Sequence, residues 1–261
     1  MPNSLLKDKV AVIFGAGGSL GSEVTKKFVE LGATVFASTR STNAKPLPSG
    51  VQELRAIDAL DEEAVTQYLD EIVTAHGRID IVLNLATSDH AAFNHGRPAN
   101  ETSLEELLIP ARSTMGPQFV TAKAAQKHMA SQRSGVILFI TSTLAVVGSP
   151  WSAALSATHA GIEGLMRSLA SEWGPQGIRV LGVRSEAMPD TPTIEYTFRT
   201  MGENLGLSQI EMQSAVEQSK VALGRLPSRS ETANVLAFAA SDLASYMIGT
   251  MLNHSGGHVL Q

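Results

Sequence analysis

Short runs of apolar, often β-branched residues alternate with longer amphipathic segments along almost the whole chain. Seven runs have the composition of strands: Val10–Phe14, Thr34–Ser38, Leu54–Ile57, Ile79–Asn84, Val136–Thr141, Arg179–Val183 and Met251–Asn253. Five segments have the periodicity of helices: Leu20–Leu31, Glu62–Ala75, Ser113–Ala130, Ala153–Trp173 and Ser230–Ala240. Apolar strands joined by helical crossovers are buried on both faces, so this order predicts a doubly wound parallel sheet of about seven strands in a three-layer αβα sandwich.

The alternation of strands and helices shows no shift in composition that would mark a second domain. We therefore expect residues 1–261 to form a single domain. The segment 185–224 is different, because it is rich in Pro, Thr, Met and Gln and interrupts the rhythm. We expect a lid-like helical excursion there, lying over the carboxyl edge of the sheet where ligands bind.

The composition narrows the classes of partner. The net charge is -5 and no basic block is present, which argues against nucleic acid or an anionic membrane. The chain has no cysteine, which excludes disulfides, thiolate metal sites and cysteine nucleophiles. The first apolar run, Val10–Phe14, is too short for a signal peptide or a membrane span. We expect a cytoplasmic protein that binds a small-molecule ligand or substrate.

A glycine-rich turn, "FGAGGSLG", joins the first predicted strand to the first predicted helix. Gly15 and Gly17 suit a tight turn, and Gly21 suits close packing of the helix on the strand. The backbone N–H groups of Ser19 and Leu20 would be free at the helix N-terminus, where a pyrophosphate can bind. A strand, a glycine turn and a helix in this order predict a Rossmann-type dinucleotide site, although a turn that simply needs glycine gives the same pattern.

In this context the chain resembles the short-chain dehydrogenase/reductase family, and the resemblance covers essentially its whole length. The family turn reads T-G-x-x-x-G-x-G, so Phe14 stands here in place of the threonine and Ser19 in place of a glycine. The hydroxyl of the family threonine steadies the turn, and the glycine lets the backbone approach a phosphate. The Ser19 side chain would either crowd the pyrophosphate or donate a hydrogen bond to it.

The resemblance also assigns residues to the adenosine half of a cofactor site. The second strand ends at Thr39-Arg40 without an acidic residue, a pattern that favours NADP(H) with Arg40 at the 2′-phosphate, although a solvated arginine fits equally well. Asp58 matches the family aspartate beside the adenine ring. In the nicotinamide half, Asn84 matches the first residue of the family's N-N-A-G segment. A protein that binds no cofactor stays a second possibility.

The resemblance identifies Ser142 with the family's catalytic serine, which bonds the substrate carbonyl. The family's proton-exchanging tyrosine and its lysine fall at Leu155 and His159, thirteen and seventeen residues further along. In the family the lysine holds the nicotinamide ribose and lowers the pKa of the tyrosine. The Pro-Gly pair near the carboxamide is replaced by Ser185-Glu186. The ordinary tyrosine–lysine mechanism is therefore not expected.

Three functions stay open. The first is an NADP(H)-dependent oxidoreductase in which His159, Asp89, His90 or His95 replaces the tyrosine as the proton donor. The second is a non-redox enzyme in which Ser142 and His159 act as nucleophile and base. The third is a non-catalytic binding or scaffold protein.

Two further expectations concern metals and assembly. Asp89, His90 and His95 share one predicted loop, where we expect solvated side chains and no metal site. The family resemblance implies a homodimer or homotetramer that packs through the helices predicted over Ser113–Ala130 and Ala153–Trp173.

Overall fold

Seven parallel strands form one sheet in the computed structural model, which describes residues 4–40, 48–87 and 89–260. Their order across the sheet is β3-β2-β1-β4-β5-β6-β7. The strands are β1 (Val10–Phe14), β2 (Thr34–Thr39), β3 (Val51–Ala56), β4 (Ile81–Asn84), β5 (Gly135–Ser142), β6 (Ile178–Ser185) and β7 (Met251–His254). The strand order reverses between β1 and β4, so the predicted doubly wound, Rossmann-type architecture is confirmed.

Eight α-helices flank the sheet within the described ranges: α1 (Ser19–Glu30), α2 (Glu62–His76), α3 (Leu104–Pro110), α4 (Gly116–Gln132), α5 (Ala153–Trp173), α6 (Pro192–Leu205), α7 (Gln209–Lys220) and α8 (Arg229–Ala240). None of the described helices is long and apolar enough to cross a bilayer.

Two apolar cores lie on the two faces of the sheet. One joins the sheet to α2, α4 and α5, and the other joins it to α1 and α8. Successive residues of β1 alternate between the cores, with Val12 and Phe14 in the first and Ala11 and Ile13 in the second. The edge strand β3 instead alternates half-buried and exposed residues, which is why the sequence pattern identified only its end.

The helix predicted over Ser113–Ala130 is really the last part of a longer, interrupted helical segment. A Ser103–Glu106 capping box starts α3, and a π-helical turn over Ala111–Met115 connects it to α4. Pro110 and Pro117, which have no backbone N–H to donate, flank this turn. The π-helical turn places Thr114 at the wall of the main cavity, and such turns are frequent at functional sites.

Helices α6 and α7 occupy the segment of irregular composition after β6. They pack on each other through an apolar cluster of their own, which includes Phe198, Met201, Met212 and Val216. Several of these residues also line the cavity at the carboxyl edge of the sheet. The two helices therefore form one wall of the ligand cavity rather than part of the two main cores.

A prediction follows from the packing of α1 on the first turn. A Cβ atom on Gly21 would lie 2.2 Å from the backbone oxygen of Gly15, which cannot move as a flexible side chain would. We expect Gly21→Ala to lower the free energy of unfolding by about 1–3 kcal/mol in urea denaturation of the cofactor-free protein. Gly148→Ala is the control, because a Cβ there meets no atom within 4 Å. Equal losses in the two variants would contradict this account of the turn.

Candidate active site

The glycine turn brings the N-terminus of α1 close to the turn that follows β4. Gly15 has φ of 75°, and a Cβ on it would lie 2.6 Å from the backbone nitrogen of Ala86. Gly21 is also required, because a Cβ there would meet the backbone of Gly15. The close packing at these two glycines holds the first N–H groups of α1, from Ser19 onward, at the edge of the cavity. This arrangement fits a pyrophosphate, because the free N–H groups and the helix dipole both favour an anion.

The two departures from the family turn have different structural consequences. Phe14 lies fully buried in the core beneath α2, with its ring edge-to-face on Tyr68 at 6.2 Å, so it does not enter the turn. Ser19 begins α1 and borders the cavity, and its backbone oxygen accepts a hydrogen bond from Ser22 at 3.1 Å.

A guanidinium group also reaches the glycine turn. Arg229, at the start of α8, donates to the backbone oxygen of Ser19 at 3.4 Å and forms an ion pair with Asp190 at 2.6 Å. Arg229 borders the cavity and brings a positive charge to the end where an anion would bind. The sequence gives no local signal for this residue, because it lies 210 positions from Ser19 and meets it only through the packing of α8 on α1.

A cavity of about 840 Å³ extends along the carboxyl edge of the sheet. It begins at the glycine turn, passes the loop after β4 and reaches the end of β5 and the start of α5. Helices α6 and α7 close its far side. Its size suits a cofactor or a small ligand, and its position at the reversal of strand order is where open α/β sheets bind ligands.

The cavity lining does not include Arg40 and Asp58, assigned to the adenosine half, or Asn84, assigned to the nicotinamide half. Arg40 is exposed just after β2. Asp58 is exposed as well, and its carboxylate accepts a hydrogen bond from the backbone nitrogen of Leu60 at 2.9 Å. Asn84 is buried: it donates to the Thr121 hydroxyl at 3.2 Å and accepts from the backbone nitrogen of Ala86 at 2.8 Å. Asn84 therefore shapes the loop after β4 rather than presenting its side chain to a ligand.

Ser142 and Leu155 both line the cavity. Ser142 ends β5, and its hydroxyl oxygen accepts a hydrogen bond from the backbone nitrogen of Leu144 at 3.2 Å. Leu155 is only 4% exposed and packs in an apolar cluster with Phe93 and Leu144. The cavity wall is therefore apolar where the family has its phenol.

His159 lines the cavity one helical turn beyond Leu155. Burial lowers the pKa of its imidazole to about 4, and the negative charge of Glu163 only partly opposes this shift. The ring is therefore neutral near pH 7 and cannot replace the positive charge of a lysine. Its Nδ1 atom is buried and forms no hydrogen bond with the described residues, Ser142 included. The nucleophile–base pair considered from the sequence is therefore not joined by a hydrogen bond.

His90 and His95 are buried, so the expectation of solvated loop side chains is wrong for both. His90 bonds the Thr197 hydroxyl of α6 through Nδ1 at 2.9 Å, and the two imidazole rings lie 4.8 Å apart. The loop is held beneath α6, which removes the rings from water. Asp89 stays exposed and caps the following turn. Among the described residues, no three acidic, cysteine or histidine side chains are arranged to hold a metal ion.

A polar cluster that the sequence reading did not assemble lies beside Ser142. The Glu186 carboxylate accepts hydrogen bonds from the Thr143 hydroxyl at 3.0 Å and from His258 Nδ1 at 2.6 Å. All three residues line the cavity. Glu186 stood out in the sequence only as a replacement of the family's Pro-Gly pair. His258 gave no signal, because it follows β7 in the C-terminal segment and reaches Glu186 only in the fold.

The buried histidines make stability depend on pH. Burial is the main cause that lowers the pKa of His90 to about 3 and that of His95 to about 4, from an ordinary value of 6.5. Below pH 6.5 the unfolded chain therefore binds more protons than the folded chain. The contribution of each ring to the free energy of unfolding is present above pH 6.5 and is lost as the pH falls toward 4. We expect a loss of roughly 1–3 kcal/mol for each ring over this range.

Urea unfolding of the native protein and of His95→Gln between pH 7 and pH 4.5 tests this dependence. The variant should show a shallower fall in the free energy of unfolding, because one titrating ring has been removed. Parallel curves for the two proteins would contradict the assignment of His95 as a neutral buried base.

Comparisons with known proteins agree with the geometry. A family model described as enoyl-(acyl carrier protein) reductase matches residues 15–258. A 3alpha-hydroxysteroid dehydrogenase of Mediterraneibacter gnavus is 28% identical, with 97% of each chain covered. A probable 2,4-dienoyl-CoA reductase of Bacillus subtilis is 30% identical, with 98% of each chain covered. Both relatives are oxidoreductases by name.

Solved structures show the same fold at lower identity. A xylitol dehydrogenase with NAD+ bound superposes with a TM-score of 0.86 at 24% identity, covering 97% of this chain and 99% of the other. A carveol dehydrogenase from Mycobacterium avium in complex with NAD gives a TM-score of 0.84 at 24% identity, covering 99% and 100%. The sheet order, the glycine turn and the match of the family model over nearly all its length together place the chain in the short-chain dehydrogenase/reductase family.

Proposed function

We propose that the protein is an NADP(H)-dependent oxidoreductase whose proton donor is a residue other than tyrosine. The continuity of the cavity carries this proposal, because one space links the α1 N-terminus, which suits a pyrophosphate, to Ser142 at the end of β5. The family relatives that are named as a dehydrogenase and a reductase support the same reaction class. Leu155 and His159 form part of the cavity wall, and the space between the glycine turn and Ser142 stays continuous past them.

The residues present divide the work of holding a dinucleotide. The N–H groups at the start of α1 and the Arg229 guanidinium would bind the pyrophosphate. Arg40, exposed at the end of β2, would bind the 2′-phosphate that distinguishes NADP(H). His159, neutral and with Nδ1 unbonded among the described residues, would offer a hydrogen bond to the nicotinamide ribose. When bound, the reduced nicotinamide supplies a hydride to the substrate carbon.

The substrate end of the cavity is largely apolar. Its wall includes Leu155 from α5, Met188 from the segment after β6, and Ile194, Phe198 and Met201 from α6. Ser142 would orient the substrate oxygen, as the family resemblance implies. We therefore propose a carbonyl compound with a hydrophobic body as the substrate class, which agrees with the steroid and the dienoyl-CoA in the names of the two relatives.

Cofactor titration tests this proposal directly. We expect NADPH to bind the native protein, and Arg40→Ala to weaken NADPH about tenfold while leaving NADH nearly unchanged. Arg229→Gln should weaken both cofactors, since the pyrophosphate is common to them. Lys26→Gln, on the outer face of α1 with its side chain 56% exposed, is the control and should change neither affinity. Calorimetry or nicotinamide fluorescence gives the dissociation constants.

If the folded native protein binds neither NADPH nor NADH at millimolar concentration, the proposed redox function is wrong. That result would favour a cofactor-free binding protein.

We further propose a homodimer or homotetramer that packs through α4 and α5. Helix α5 exposes small residues, including Ala157, Ala160 and Gly161, and α4 exposes Phe119 at 38%. Small exposed residues on a long helix let a second helix approach closely. The exposed Phe119 ring on α4 would be buried if α4 forms part of the same interface.

Light scattering coupled to size exclusion tests this assembly. We expect a mass of two or four chains for the native protein, and a smaller mass for Ala160→Arg, because a long charged side chain would be forced into the contact. Lys26→Arg, on α1, should leave the mass unchanged. A monomer across a broad range of concentration would refute the proposed interface.

A further inference from the structure

The carboxylate of Glu186 is held in one position by three hydrogen bonds. Oε2 accepts from the Thr143 hydroxyl and from His258 Nδ1, and Oε1 accepts from the backbone nitrogen of Ala187 at 3.1 Å. Its own backbone nitrogen donates to the oxygen of His254 on β7 at 3.1 Å. The side chain is 9% exposed. Glu186 is thus a fixed acceptor at the carboxyl end of β6.

This contact also fixes the protonation pattern of His258. A carboxylate accepts but does not donate, so the hydrogen in the contact with Glu186 lies on Nδ1 of the ring. The second ring nitrogen, Nε2, is therefore the one that gains and loses a proton. It forms no hydrogen bond with the described residues, and the side chain is 18% exposed at the cavity wall. A carboxylate behind an imidazole holds the ring in one orientation.

The pair lies next to Ser142 in the sheet. Ser142 on β5 is in register with Ser185 on β6, and the strands of a sheet lie about 4.8 Å apart. Thr143 and Glu186 directly follow these two strands and are hydrogen-bonded to each other. His258 is thus joined through Glu186 to the residue that follows Ser142, at the same edge of the sheet.

The other histidines of the cavity differ from His258 in their partners. Within the described ranges, His90, His95 and His159 border the same cavity, but none forms a hydrogen bond with a carboxylate. They are buried among apolar groups and other imidazoles, which disfavours their charged forms. Other charged groups at the cavity wall are Lys220 at the end of α7 and Arg229 at the start of α8. Glu186 carries the negative charge that opposes these two positive charges, and it lies in contact with His258.

We propose that His258, oriented by Glu186, is the residue that exchanges the proton with the substrate oxygen in place of the absent tyrosine. This inference rests on the proposed oxidoreductase function. As a hydride reaches the carbonyl carbon, the electron pair of the C=O double bond passes to oxygen, which takes the proton from Nε2. The product is an alcohol, and the neutral ring regains its proton from water through the cavity. In the oxidative direction the hydroxyl proton returns to Nε2.

Two variants and a matched control test the role of the pair. His258→Gln removes the titrating nitrogen, and Glu186→Gln removes the charge while keeping the shape. His128→Gln is the control, since His128 forms a comparable pair with Asp70 at 2.7 Å on α4 and α2, outside the cavity lining. The first readout is the dissociation constant of NADPH. The second is the rate of NADPH consumption with a panel of hydrophobic ketones.

We expect His258→Gln to lower kcat by about 10²–10⁴ with a small change in KM, because it removes a proton donor rather than a binding group. Glu186→Gln should lower kcat less, because Nε2 of the ring is kept and only the carboxylate that orients the ring is lost. Glu186→Asp, which keeps the charge, should recover part of the activity. His128→Gln should match the native protein in both readouts.

Proton NMR gives a readout that does not depend on turnover. The imidazole signal that is lost in His258→Gln identifies the residue, and its chemical shift should change in Glu186→Gln, because the hydrogen bond from Nδ1 to the carboxylate is altered. An unchanged chemical shift, or a His258→Gln variant with native kcat, overturns the role of the pair. If the native protein binds no NADPH, both the proposed function and this role are wrong. If it binds NADPH but gives either of the two results just named, only this role is wrong.

Discussion

The buried ion pair between Glu163 and Arg184 fixes the geometry on which the cavity depends. The two side chains form hydrogen bonds of 2.7 Å through both carboxylate oxygens, and Thr141 donates a third at 3.1 Å. A buried charge without its partner is strongly destabilising, so α5 can pack on the sheet only in the register that keeps the pair together. His159 lies one turn before Glu163, and Ser185 follows Arg184 directly. One interaction therefore positions both sides of the candidate active site.

The cavity that results begins at the glycine turn of its family but has different side chains where the family has its acid–base residues. Leucine at the tyrosine position makes the wall apolar, and desolvation keeps the histidine at the lysine position neutral. A carboxylate–imidazole pair is present instead after β6, where Glu186 replaces the family's Pro-Gly turn and bonds His258. The proposed relocation of the proton donor rests on this exchange of side chains.

Much of the fold could be predicted from the sequence, since each central strand is apolar along its length and each crossover helix has a clear period. The bounds of α5, Ala153–Trp173, coincide with the prediction. The pattern failed at β3, where one face is open to water, and before α4, where two prolines and a π-helical turn interrupt the period. Both failures come from local irregularity rather than from a wrong architecture.

The candidate site was less accessible to sequence reasoning. Ser142 and the glycine turn could be placed, because they belong to a local motif with fixed spacing. His258 and Arg229 could not, because they carry no local pattern and meet Glu186 and Ser19 across 72 and 210 positions of the chain. The burial of His90 and His95 was also missed, since it depends on α6 folding over their loop. Long-range contacts of this kind are set by the packed fold, not by neighbouring residues.

A crystal structure of the native protein with NADPH and an inert ketone analogue tests the central claim most directly. The account predicts the pyrophosphate at the N-terminus of α1, the nicotinamide near Ser142, and the analogue's oxygen within hydrogen-bond distance of His258 Nε2. The proposed role of His258 is wrong if the cofactor binds in this way but the ketone oxygen of the analogue lies closest to His159. It is also wrong if NADPH does not enter the cavity at saturating concentration.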